Sequence, residues 1–315
     1  MKKRKLGNSG LEITPLAFGG NVFGWTADEA TSYKLLDAFV AAGGNLIDTA
    51  DVYSHWVPGN QGGESETILG RWLKKSGQRD KVVIATKVGM EMGPTEKGLT
   101  RAYILRAVER SLNRLQIDTI DLYQSHQDDA TTPLEETLGA YDELIRAKKV
   151  RAIGASNYTP ERLSEALRIS QEKGLPRYES LQPNYNLYDR HGFEEKLSTL
   201  CLQEGIGVIP YYSLAAGFLT GKYRSEADLA KSPRGTKVKN YLNERGYRIL
   251  AALDSVAARY QSTPTRIALA WLLTRVVVTA PIVSATNVAQ LEDIFASTKL
   301  ELDAPSVEEL DRASL

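Results

Sequence analysis

A chain of 315 residues that is 42 % apolar and 25 % charged has the size and balance of a soluble globular protein, not of a fibrous, disordered or membrane-spanning one. Its 39 Lys and Arg offset 39 Asp and Glu, so no net charge draws it to nucleic acid or to an anionic membrane surface. The single cysteine, Cys201, excludes an internal disulfide and fits a reducing compartment.

Met1 to Lys5 is basic, but Leu6-Gly7-Asn8-Ser9-Gly10 follows without the apolar core of a secretory signal. No stretch reaches the roughly 20 apolar residues of a spanning helix, so a cytoplasmic protein is expected. Residues 4–14, with Asn8-Ser9-Gly10 between short polar-apolar segments, predict a hairpin. Short β-branched or apolar runs then recur at Ile13–Phe18, Asn45–Thr49, Val82–Val88, Ile120–His126, Val150–Ser156, Ser180–Tyr185, Gly207–Tyr212 and Val276–Ala285. Amphipathic stretches lie between them, among them Asp28–Ala42, Arg101–Leu115, Leu134–Lys148 and Pro160–Lys173. In Arg101–Leu115, Ile104, Leu105, Val108, Leu112 and Leu115 fall at helical spacing. Thr159-Pro160 marks a helix start and Gly174 its end.

Eight alternations of strand and helix require parallel strands with crossover helices. Their number, and the lack of a glycine-rich phosphate loop, predict a closed (β/α)8 TIM barrel rather than an open doubly wound sheet. No linker divides the chain, so residues 1–315 read as a single domain. Leu214–Asn243, after strand seven, is a long polar connection, and such connections usually serve function. The start of a helix at Pro305–Leu310 leaves only a short tail for any lid.

Barrel enzymes carry their chemistry at the C-terminal strand ends. Asp48 and Tyr53 follow strand two, Lys87 ends strand three and His126 ends strand four. Strand five finishes with Ser156-Asn157, strand six opens with Gln182, and strand seven ends Tyr211-Tyr212. Taken singly, each has an ordinary explanation as a cap, a packing aromatic or a solvated rim charge. Together, Asp, Tyr, Lys and His suit carbonyl reduction. A phenol with a pKa of about 10 is a poor proton shuttle, an adjacent ammonium lowers it, and a buried carboxylate holds the ammonium. A histidine beside the phenol can orient a carbonyl. A metal-dependent hydrolase is the weaker alternative, because His55, His126 and His191 are spread too thinly to cluster.

These residues carry a resemblance. Asn45-Leu46-Ile47-Asp48-Thr49-Ala50-Asp51-Val52-Tyr53, Ala85-Thr86-Lys87, Asp121-Leu122-Tyr123-Gln124-Ser125-His126, Ile153-Gly154-Ala155-Ser156-Asn157 and Gly217-Phe218-Leu219-Thr220-Gly221-Lys222-Tyr223 are similar to aldo-keto reductase segments. The similarity is closest to bacterial members and to the potassium-channel β-subunit branch. It implies a (β/α)8 barrel that reduces aldehydes or ketones, or oxidises the alcohols, with Tyr53 as general acid. Lys87 and Asp48 would be its partners, and His126 would orient the substrate. It implies that Ser156, Asn157 and Gln182 hold the nicotinamide carboxamide and that Tyr211 stacks on the ring. Lys222 would contact the pyrophosphate, and Arg234 would lie against the adenine. Gly20, Asn21, Tyr212, Leu214 and Gly217 complete the cofactor set, with Ser284, Thr286, Gln290 and Asp293 near the adenosine 2′-phosphate.

The chain departs from the family pattern in places. Asn21 stands where many relatives carry a pocket aromatic, Ser54 replaces a common glycine, and Ile294 replaces the usual Asn. The long loop after Tyr53 makes His55 and Trp56 candidate substrate contacts. The resemblance favours NADP(H), but no Arg or Lys lies between Ala280 and Ile294 to pair with a 2′-phosphate, so NAD(H) or dual use stays open. The alternative function is a nicotinamide-sensing regulatory subunit of a larger assembly.

Overall fold

The computed structural model describes residues 1–315. The chain opens on the expected hairpin, β1 (Arg4–Lys5) and β2 (Glu12–Ile13), paired antiparallel. The first barrel strand is β3 (Ala17–Gly19). Ile13 thus belongs to the hairpin, and the run read as one strand over Ile13–Phe18 is split around Pro15, which has no N–H to donate to a ladder.

Next come α1 (Glu29–Ala41), β4 (Leu46–Asp48), α2 (Glu64–Ser76), β5 (Val83–Val88), α3 (Arg101–Leu115), β6 (Ile120–Ser125), α4 (Leu134–Arg146), β7 (Val150–Ser156), α5 (Pro160–Lys173) and β8 (Tyr178–Gln182). The second half adds α6 (His191–Glu194), α7 (Leu197–Glu204), β9 (Gly207–Val208), α8 (Gly235–Val238), α9 (Glu244–Arg259), α10 (Pro264–Thr274), β10 (Ile282–Val283), α11 (Val288–Ala296) and α12 (Ala304–Ser314). Helix boundaries follow cap chemistry. Asp28, Thr100, Thr159, Thr263, Asn287 and Asp303 each accept a backbone N–H at a helix start.

The eight parallel strands are ordered β10-β3-β4-β5-β6-β7-β8-β9. A Val208–Val278 bridge and the bond from Ile282 N–H to Pro210 O at 2.9 Å bring the two ends of that order together, as in a (β/α)8 barrel. Several strands are shorter than their apolar runs suggest. In the last run only Ile282 and Val283 form a continuous strand, and Val276 is 92 % exposed. Gln182 ends β8 rather than opening a strand, because pairing with β7 begins at Tyr178.

Two apolar layers result. Seventy buried residues pack between strands and helices. A smaller group of twelve fills the interior: Leu46, Val83, Ala85, Leu122, Ala152 and neighbours, sealed from below by Leu6, Leu11 and Ile13 of the hairpin. Burying each of these hairpin side chains contributes about 1.5–3 kcal/mol, so the hairpin is a stabilising plug.

Candidate active site

Strand periodicity sets what stands above that interior layer. Residues two apart share a face, so Leu46 leads to Asp48, Ala85 to Lys87, Leu122 to Gln124 and Ala152 to Gly154 and Ser156. The apolar interior therefore ends in a polar top layer. Gly154 makes room within it: a Cβ there would lie 2.2 Å from Ser180 Oγ and 3.1 Å from Gln124 Cγ.

The Lys87 ammonium is the centre of this layer. Nζ donates to Asp48 Oδ2 at 2.7 Å, to Thr49 O at 2.8 Å and to the Tyr53 hydroxyl at 2.7 Å. These three acceptors match the three donors of an ammonium. Lys87 and Asp48 are 0 % and 1 % exposed, so the ion pair is sustained by the further bonds each partner makes. Asp48 Oδ1 accepts from Gln182 Nε2 at 2.9 Å and Gln124 Nε2 at 3.3 Å, and Gln182 also donates to Gln124 Oε1. Burial lowers the Lys87 pKa, against the upward pull of Asp48.

Tyr53 sits in the loop after β4, its ring edge-on to His126 with centroids 5.9 Å apart. Its hydroxyl lies 3.3 Å from Asp48 Oδ2. Burial, followed by that carboxylate, raises the phenol pKa well above its ordinary value. The direction is opposite to the lowering expected of Lys87 alone, because loss of solvent and then the Asp48 carboxylate act on the same phenol. The phenol oxygen accepts from Lys87, and its O–H donates to Asp48 Oδ2 across the longer 3.3 Å contact. Burial, then the Lys87 charge, pushes the His126 pKa well below the usual value, leaving a neutral imidazole, and its buried Nδ1 has no partner. The other two histidines lie elsewhere: His55 is exposed, and His191 pairs with Glu195 at the surface.

Behind the quartet lies Asp51, 2 % exposed, with neither carboxylate oxygen hydrogen-bonded. Burial and the neighbouring Glu66 hold its pKa well above the ordinary value. Glu66 itself is held by Thr86 at 2.6 Å and Arg114 at 2.7 Å.

One set of candidate cofactor residues forms a connected group. Asn157 Nδ2 donates to His126 O and to Ser156 Oγ, and its Oδ1 accepts from the Tyr211 hydroxyl at 2.8 Å. Ser156 Oγ donates to Gln182 O. Asn157 and Tyr212 both adopt left-handed backbone conformations, φ +57° and +52°. A second set joins the first and last barrel strands, where Ser284 Oγ donates to Gly19 O and lies 2.7 Å from Asn21 Oδ1. Gly20, in the turn after β3, accepts from Ser65 Oγ. Thr286 is bound to Gln290 Oε1, and Asn287 caps α11.

In the long loop, Leu214 and Gly217 (φ +98°) precede Lys222, whose ammonium lies 5.0 Å from the Tyr223 ring centroid. Arg234 does something the sequence did not suggest. Its guanidinium lies 5.3 Å from the centroid of the Trp25 ring, from the loop after β3, and its buried Nη2 has no partner. Trp25 meets Trp56 edge-on at 5.7 Å, and Trp56 meets Tyr53 at 6.1 Å. Trp56 is 48 % exposed. The indoles thus form an apolar wall between the loop and the phenol.

Asp293 is not in either set. It pairs with Arg266 at 2.7 Å and receives Thr263, both from the start of α10. Arg266, Gln124 and Trp25 were missed by the sequence reading. Only Gln124 left a local signal, its shared parity with Leu122 and His126.

Comparison with known proteins agrees with this geometry. The Aldo/keto reductase family profile matches residues 15–314. The chain is 33 % identical over 336 aligned positions to Protein tas of Escherichia coli (strain K12), spanning 99 % of this chain and 97 % of that protein. It is 34 % identical over 312 positions to the uncharacterized oxidoreductase YrpG of Bacillus subtilis (strain 168), spanning 96 % and 93 %. It is 31 % identical over 318 positions to a probable voltage-gated potassium channel subunit beta of Oryza sativa subsp. japonica, spanning 98 % and 94 %. On the barrel, its polar upper layer and the match over nearly the whole sequence, the chain belongs to the aldo/keto reductase family of oxidoreductases.

Proposed function

We propose that the chain is an NAD(P)H-dependent carbonyl reductase in which Tyr53 supplies the proton. One observation carries this reading: the Lys87 ammonium lies 2.7 Å from both the Asp48 carboxylate and the Tyr53 hydroxyl, at the upper rim of the barrel.

The residues around it suit a dinucleotide. Ser156, Asn157 and Gln182 offer amide and hydroxyl groups for a carboxamide, and Tyr211 offers an aromatic plane for a ring. Lys222 offers charge to the pyrophosphate, and Arg234, whose Nη2 has no partner, offers its guanidinium to the adenine. Gly20, Asn21, Tyr212, Leu214 and Gly217 line the same rim, with Ser284, Thr286 and Gln290 toward a 2′-phosphate at the start of α11. When bound, the reduced nicotinamide supplies a hydride to the carbonyl carbon. The chain does the rest. Tyr53 donates its proton to the carbonyl oxygen as the alcohol forms, Lys87 steadies the phenolate left behind, and Asp48 keeps Lys87 charged. Neutral His126 orients the carbonyl oxygen toward the phenol, and Trp56, with His55 on the same loop, contacts the substrate body. NADP(H) is the favoured cofactor, with NAD(H) or dual use compatible with the same donors.

The test is titration with NADPH and with NADH, followed by tryptophan fluorescence, on wild type and Tyr53→Phe. Both proteins should bind, and only wild type should turn over a generic aldehyde. Binding without turnover by wild type would favour a cofactor-sensing subunit, while failure to bind either dinucleotide would refute the reading altogether.

A further inference from the structure

The loop from Leu214 to Asn243 carries six cations. Three are neutralised by carboxylates: Arg224 by Asp254, Lys231 by Asp228 and Lys239 by Glu226. The other three, Lys222, Arg234 and Lys237, have no carboxylate partner and each faces an aromatic ring instead, those of Tyr223, Trp25 and Tyr212. Lys222 and Arg234 serve the cofactor in the reading above. Lys237 is left over.

Its surroundings point toward the substrate. Nζ donates to the Tyr212 hydroxyl at 3.1 Å and lies 5.7 Å from the centre of that ring. Tyr212 stands at the rim with φ +52°, a costly conformation for a bulky residue, so its ring is held there by its surroundings. Its ring meets that of Tyr211, a candidate cofactor contact, edge-on with centroids 5.2 Å apart. The carboxylate of Asp189 in the same quarter is occupied by Asn186 and Tyr241. An unneutralised ammonium and a hydroxyl therefore stand on one side of the mouth, and the Trp25–Trp56 wall lies beside Tyr53.

We propose that Lys237, with the Tyr212 hydroxyl, anchors an anionic group on the substrate, so that the chain selects carbonyl compounds with an apolar body and a carboxylate-like group beyond it. This rests on the reductase reading and specifies its substrate class. Lys237 acts in specificity and takes no part in proton or hydride transfer.

The experiment compares kcat/KM for 4-carboxybenzaldehyde and its neutral methyl ester, with NADPH as reductant. Wild type, Lys237→Leu and Lys239→Leu are assayed, and NADPH affinity is measured in parallel. Wild type should favour the acid over the ester by about fivefold, the range of a half-solvated ion contact. That advantage should shrink in about 0.5 M NaCl. It should vanish in Lys237→Leu and persist in Lys239→Leu, which removes a loop charge already paired with Glu226. Equal use of acid and ester by wild type would overturn the proposal. So would a Lys237→Leu protein that keeps the acid preference but binds NADPH more weakly, since Lys237 would then be a cofactor contact. Bound NADPH with neither aldehyde reduced would instead sink the reductase reading, and this inference with it.

Discussion

The Gln182 side-chain amide donates to Asp48 Oδ1 at 2.9 Å, joining residues 134 positions apart across the barrel mouth. This bond, with that from Gln124, occupies the carboxylate oxygen that Lys87 and Tyr53 leave free. It makes Gln182 a support for the Asp48 carboxylate as well as a candidate cofactor contact. Replacing Gln182 with Leu should cost about 1.5–3 kcal/mol, the worth of a hydrogen bond to a buried charge. Urea unfolding would measure it, and an unchanged midpoint would show that Asp48 does not depend on Gln182.

The Lys87–Asp48 pair makes a stronger demand. Lys87→Met removes the cation and leaves a carboxylate buried at 1 % exposure. A loss of about 3–5 kcal/mol is expected. The double variant Lys87→Met/Asp48→Leu should recover much of this, because no unpaired charge remains. Both should be inactive toward aldehydes. Thermal unfolding of the three proteins decides the matter, and equal stability of wild type and Lys87→Met would contradict the pairing.

Asp51 gives a pH prediction. Its folded pKa is raised, so the folded state holds the proton more tightly than the unfolded chain. Its contribution to stability is complete below the ordinary carboxylate value of about 4 and declines as pH rises toward the folded value. Asp51→Asn keeps the shape of the protonated group without the ionisation. Its stability relative to wild type should therefore grow with pH, at up to about 1.4 kcal/mol per unit, and then level off. Denaturant melts at several pH values test this, and a pH-independent difference would rule it out.

Arg266 bears on the choice of dinucleotide. It approaches the helix α11 corner from α10 and holds Asp293 at 2.7 Å, close in sequence to Thr286 and Gln290. If this corner takes the 2′-phosphate, Arg266→Gln should weaken NADPH binding by about tenfold, the worth of one charge-assisted contact. NADH should be nearly unaffected. Equal effects on both would place the 2′-phosphate elsewhere.

Local signals in the sequence determined much of this protein. Helical spacing and caps marked Arg101–Leu115 and Pro160–Lys173 at their observed bounds. Strand-end position marked Asp48, Lys87 and His126, because each follows directly from an apolar run. Only the tertiary structure decided which distant groups meet. Arg234 rests on Trp25 and Asp293 on Arg266 because separate loops and helices converge there, and no periodicity encodes that. The strand limits at Pro15 and Val276 were likewise decided by pairing partners rather than by apolar content. The state of Tyr53 was decided in the same way. A lysine beside a phenol suggests a lowered pKa, whereas burial and a carboxylate 3.3 Å away push it up, and neither is encoded in the local sequence around Tyr53.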